Sequence, residues 1–163
     1  MKKLLSLMLA AVAALALTAC GGGGGEENGA PPIYSTQNVA DIAEAGAFSE
    51  TLEELDGDTA FALYRLADYG LSREDLTDCA VLRSSGATCE EGAVLVFSGE
   101  DQADQGRKAL ESYVQNQITS NRDYRPAEIP KLEDAILEQA GDSVVLVVAA
   151  DAEAARTALE GLE

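Results

Sequence analysis

The alternation of apolar and polar residues divides the chain into stretches of different period. From Ser35 to about Leu71, apolar residues recur every three or four positions, the spacing of helices that bury one stripe. Ser35 or Thr36 can cap a first helix carrying Val39, Ile42 and Ala43. Ser49 and Thr51 can cap a second, with Thr51 and Glu54 in capping-box spacing and Phe48, Leu52 and Leu55 along one side. Asp58 can cap a third, carrying Ala60, Leu63 and Ala67 and stopped by Gly70. Ser72 and Asp75 predict one further short turn.

After Asp78 the pattern becomes that of strands. Cys79 to Arg83 and Ala93 to Phe97 flank the turn-rich Ser84-Ser85-Gly86-Ala87 and read as a hairpin. A helix follows from about Asp101 to Arg122, with acids at its start and Gly106, Leu110, Tyr113, Val114, Gln117 and Ile118 along one stripe. Tyr124 to Pro130 reads as a loop pinned by Pro126 and Pro130. Glu133 to Gln139 and Ser143 to Ala150 form a second hairpin about Ala140-Gly141-Asp142. Asp151 caps a last helix with Ala152, Ala155, Leu159 and Leu162 facing inward.

The two halves echo each other. Val94-Leu95-Val96-Phe97 leads to Arg107-Lys108-Ala109-Leu110-Glu111, and Val145-Leu146-Val147-Val148 leads to Arg156-Thr157-Ala158-Leu159-Glu160. The expected fold is α+β. Two β-hairpin–helix units form a four-stranded antiparallel sheet with helices on one face, preceded by an N-terminal helical segment.

Ahead of this domain the composition changes. Lys2 and Lys3 precede an apolar run from Leu4 to Ala19, broken only by Ser6 and Thr18. The run is shorter than the roughly 20 residues a spanning helix needs, and it reads as a secretory leader. It ends in Leu17-Thr18-Ala19-Cys20, the pattern of a lipobox. The resemblance to bacterial lipoproteins implies that Cys20 becomes the N-terminus and carries a diacylglyceryl group, with two acyl chains sufficient for stable anchoring. Gly21 to Gly25, Glu26-Glu27 and Pro31-Pro32 then form a tether. The expected organisation is a signal peptide over 1–19, a Gly/Pro-rich tether over 20–34 and a single domain over 35–163. The expected location is the extracytoplasmic face of the cell membrane.

Charge and residue usage narrow the function. With 29 acidic and 11 basic residues the formal net charge is −18, a surface that repels nucleic acid and anionic headgroups. The domain's contact with the membrane is therefore expected only through the Cys20 lipid. The chain has no His, which removes the commonest general base and metal ligand. It has no Gly-x-Ser-x-Gly elbow, phosphate loop or zinc spacing, and no cofactor is expected. Cys79 and Cys89 can form a disulfide if the first hairpin turns about Ser84, but stay unpaired core residues if it turns about Gly86. Glu53, Glu54, Asp56 and Asp58, and separately Glu90 with Glu91, can hold Ca²⁺ or serve as helix caps and solvated faces. Tyr124, Arg125, Glu128 and Lys131 form a compact polar loop that can bind a partner, unless Tyr124 simply packs beneath it. The expectation is a non-catalytic binding or interaction module of the envelope, facing an envelope protein or small ligand. The alternatives are a carboxylate-dependent hydrolase and a calcium-dependent envelope protein.

From about Ala40 to Leu162 the chain resembles small lipoproteins of Gram-positive bacteria that share a domain of unknown function. The marks are the leader with Cys20, Arg83-Ser84-Ser85-Gly86-Ala87-Thr88 ahead of Glu90-Glu91 and Val94-Leu95-Val96-Phe97, Tyr124-Arg125-Pro126-Ala127-Glu128, and the final hairpin before Asp151. The resemblance implies an envelope location and an α+β fold. It implies no catalytic residues.

Overall fold

A computed structural model describes residues 34–160. The leader, Cys20, the glycine run and Leu162 lie outside the described residues. In chain order the elements are α1 (Gln37–Glu44), β1 (Glu53–Leu55), α2 (Gly57–Leu63), β2 (Leu76–Arg83), β3 (Glu91–Phe97), α3 (Glu100–Asn121), α4 (Ile129–Glu133), β4 (Ile136–Ala140), β5 (Ser143–Val148) and α5 (Ala152–Glu160). Short 3-10 turns occupy Leu66–Tyr69, Arg73–Asp75 and Pro126–Glu128.

The fold is α+β, and the sheet has five antiparallel strands in the order β1-β2-β3-β5-β4. The four expected strands are present, with a fifth, β1, at one edge. The second expected helix is this strand. Leu55 pairs with Val81 and Glu53 with Arg83, so Leu55 packs on the core without a helical turn. The preceding residues are tied down by side chains instead of a capping box. Ser49 donates from its N and Oγ to Glu90 at 2.7 and 2.6 Å, and Glu50 accepts from Ser84 and Thr88.

Helices cover both faces of the sheet, not one. The central strands β3 and β5 are apolar at successive positions, and such strands must be covered on both sides. On the first face Ala93, Leu95 and Phe97 meet Val144, Leu146 and Val148 beneath Leu110 and Val114 of α3 and Ala60 of α2. On the second, Val94, Val145 and Val147 meet Val39 and Ile42 of α1 and Ala155 of α5. The helices that follow the two hairpins thus lie on opposite faces, which breaks the expected equivalence of the two units.

Local chemistry explains several of the helix starts, although Thr36 makes no side-chain capping bond at the start of α1. Asp56, not Asp58, caps α2, accepting from Thr59 N at 2.8 Å, while Asp58 pairs with Arg73 at 2.7 Å. Ser72 donates from N and Oγ to Asp75, as its spacing predicts. Asp151 caps α5 through Ala154 N at 2.9 Å. Pro126 and Pro130 do not hold an open loop. They sit in the first turns of the 3-10 segment and of α4, where a missing N–H costs nothing.

Candidate functional site

The β2–β3 hairpin ends in a loop, Ser84 to Glu90, held by an unusual set of buried acids. Ser84 Oγ accepts from Gly86 N and Thr88 N, closing the turn on itself. Two adjacent glutamates follow. Glu91 opens β3 and Glu90 closes the loop before it, and the two carboxyl groups engage different partners.

Glu91 shares its face with Ala93, Leu95 and Phe97, and its side chain is only 3% exposed. Tyr64 and Tyr113 each donate a hydroxyl to it, Tyr113 at 2.7 Å, and Arg83 Nε donates at 3.1 Å. The two tyrosine rings meet edge to face, with centroids 5.1 Å apart. Burial pushes the Glu91 carboxyl above the ordinary range, although Tyr64, Tyr113 and Arg83 all draw it down. Burial and the neighbouring carboxylate raise both tyrosines, Tyr64 most.

Glu90 is fully buried among a different set of partners. Burial pushes it upward, but Lys131 at 2.7 Å and the two Ser49 donors outweigh this and hold it below the ordinary range. Lys131 also reaches Glu128 at 3.2 Å, and Glu128 accepts from Cys89 N at 2.8 Å. Arg125 donates to the carbonyls of Gly86 and Thr88 and to Asn121 Oδ1. The charged residues of the expected binding loop therefore clamp the β2–β3 turn against α3 and α4.

Tyr124 is different. It is 84% exposed, so it does not pack beneath its loop. Tyr124→Ala is expected to change stability by less than about 0.5 kcal/mol, as at other open surface positions. A larger drop in the melting midpoint would place the ring in a packed site after all.

The cysteines stand apart. The hairpin register pairs Arg83 with Glu91 and sets Cys79 opposite Leu95, so the turn is not centred on Ser84. Both thiols are free and half-buried against the first core. Alkylation before and after reduction should give the same mass shift on the peptides holding Cys79 and Cys89. A shift that appears only after reduction would show a bridge. Burial raises both thiols above the usual range, which makes them poor nucleophiles.

Two cavities adjoin this network and share Tyr113 and Gln117. One, about 170 Å³, lies under the hairpin loop and is lined by Glu53, Arg83, Glu90, Glu91 and Arg125 among others. The second, about 630 Å³, is a cleft between Leu63–Tyr69 and the second half of α3. Arg65, on its rim, is the one non-glycine residue among the described residues with positive φ, at 55°.

The buried acids were legible only as an acidic group. The missed signal is parity: Glu91 shares a face with Ala93, Leu95 and Phe97, so it had to be buried with donors.

The model of a domain of unknown function, DUF4358, matches residues 51–149. The chain belongs to this family. The matched DUF4358 region runs from just before β1 to just after β5 and contains the whole buried Glu91 cluster. It contains neither α1 nor α5, the two helices of the second face. No curated protein and no solved structure matches the chain.

Proposed function

We propose that this DUF4358 protein is a non-catalytic binding or interaction module of the cell envelope, held at the membrane by lipid on Cys20. The observation that carries the reading is the saturation of the buried carboxylates. Glu91 accepts from Tyr64, Tyr113 and Arg83, and Glu90 from Ser49 and Lys131. A general acid or base must exchange its proton with a substrate. Carboxylates ringed by the protein's own donors instead fix the hairpin and shape the cleft beside it. The lipobox and the acidic surface support display outside the cytoplasm on a tether.

One observation favours the hydrolase alternative: Glu53, Glu90 and Glu91 border the same small cavity. In-cell crosslinking of the lipidated chain separates the readings. A dominant envelope partner, lost with Cys20→Ser as the chain moves to the soluble fraction, is the expected result. A chain that stays wholly membrane-bound after Cys20→Ser would refute the anchor. Hydrolysis of an envelope polymer, abolished by Glu53→Gln in a chain that still melts normally, would refute the non-catalytic reading.

A further inference from the structure

Helix α3 changes character halfway along. Its first part carries Glu100, Asp101, Asp104, Arg107, Lys108 and Glu111, whereas Ser112 to Asn121 holds no charged residue. In a chain that is 25% charged, that neutral stretch needs an explanation. Burial explains part of it, since Val114, Ile118 and Asn121 face the interior. It does not explain Asn116 and Ser120, which are exposed, or Ser112 and Gln117, which are half-buried.

These four residues line one wall of the 630 Å³ cleft. The opposite wall presents the half-buried Tyr69, backed by the buried Tyr64. Among the described residues, the side chains of Ser112, Asn116, Ser120 and Tyr69 have no hydrogen-bond partner. Gln117 Oε1 accepts from Asn121 at 3.1 Å, leaving its amide N–H groups to donate elsewhere. Both ionised residues of the cleft, Arg65 and Asp68, pair with each other at 2.6 Å. The cleft thus combines an aromatic face with uncharged donors and acceptors. Its volume falls within the roughly 300–1,000 Å³ of small-molecule sites.

We propose that this cleft binds a short neutral oligosaccharide, a ligand class that rests on the binding-module reading above. A sugar ring has an apolar face of C–H groups, which suits Tyr69, and a rim of hydroxyls, which suits Ser112, Asn116, Gln117 and Ser120. An anion would find no unpaired cation in the cleft and would face a chain of net charge −18. A cation would find no unpaired carboxylate there.

The test uses the full chain with Cys20→Ser, labelled with ¹⁵N and titrated with N,N′-diacetylchitobiose, maltose or inorganic phosphate at millimolar concentration. Either sugar should shift the amides of Tyr69, Ser112, Asn116, Gln117 and Ser120. Tyr69→Ala and Asn116→Ala should each weaken binding about tenfold while the amide spectrum stays folded. Silence with both sugars, shifts that map elsewhere, or phosphate binding in the cleft would overturn the assignment. Sugar silence alongside an envelope protein crosslinked through the cleft would overturn the ligand class and leave the module reading standing. Cleavage of the added sugar would do the reverse, upholding the ligand class and refuting the non-catalytic reading.

Discussion

Glu91→Leu is expected to destabilise the protein by about 2–4 kcal/mol, because it removes the buried acceptor that several donors share. The loss falls on several groups at once. Arg83 loses its carboxylate, the Tyr113 hydroxyl loses its acceptor, and the Tyr64 hydroxyl loses its own in a place water hardly reaches. Set against a usual total of about 5–15 kcal/mol, this would leave a marginal fold. The midpoint and slope of urea unfolding measure it. A loss below about 1 kcal/mol would mean that the cluster repacks without its acid.

Glu91→Gln keeps the shape and adds a pH signature. The folded protein holds the Glu91 carboxyl above its ordinary range, so the folded state binds this proton more tightly than the unfolded chain. Its contribution is full below the ordinary glutamate range and declines as pH rises through the raised value. The stability gap between wild type and Glu91→Gln should therefore narrow from acid towards neutral pH. Glu90 is displaced downward, so its contribution is present above the ordinary range and lost as pH falls. The corresponding gap for Glu90→Gln should run the other way. Two adjacent glutamates with opposite pH slopes would confirm that they lie in different surroundings.

Gly106→Ala should also destabilise, by about 1–3 kcal/mol, in the range of overpacked cores. The sign is the informative part. Exchanging glycine for alanine inside a helix ordinarily gains roughly 0.5–1 kcal/mol. Here an added Cβ would lie 2.6 Å from Phe97 Cε2 and 3.0 Å from Cε1, with Cζ nearer still. Phe97 is 2% exposed, so its ring has no free space to enter. Chemical denaturation gives the loss, and Gly106→Ala with Phe97→Leu should recover part of it. A stabilised single variant would show that α3 can lift away from β3.

Much of this arrangement was legible in the sequence, in proportion to how local its causes are. The uniform apolar runs of β3 and β5, the Gly141 turn and the long stripe of α3 identify themselves by period and punctuation. Their bounds agree with the structure within a few residues. The same runs also carried the missing fact about layers, since a strand apolar at every position needs cover on both faces. The strand β1 could not be read from its own residues. Phe48, Leu52 and Leu55 suit a helix, and only the edge of β2 and the acid–hydroxyl ties from Ser49 and Glu50 pull the segment straight. The Tyr124 loop was legible as a polar cluster but not as a clamp, because the groups that Arg125 and Glu128 engage lie some forty residues earlier.

The sheet's outer strands have a bearing on solubility. The strand β1 is three residues long and begins with Glu53 and Glu54, and the opposite edge, β4, carries Glu138. A short border that bears carboxylates is a poor template for a foreign strand. Two copies meeting border to border would bring like charges together, and that repulsion reaches only about 10 Å at ordinary ionic strength. Crowded copies would thus be kept from growing into shared sheets by their own margins, a safeguard that weakens in concentrated salt.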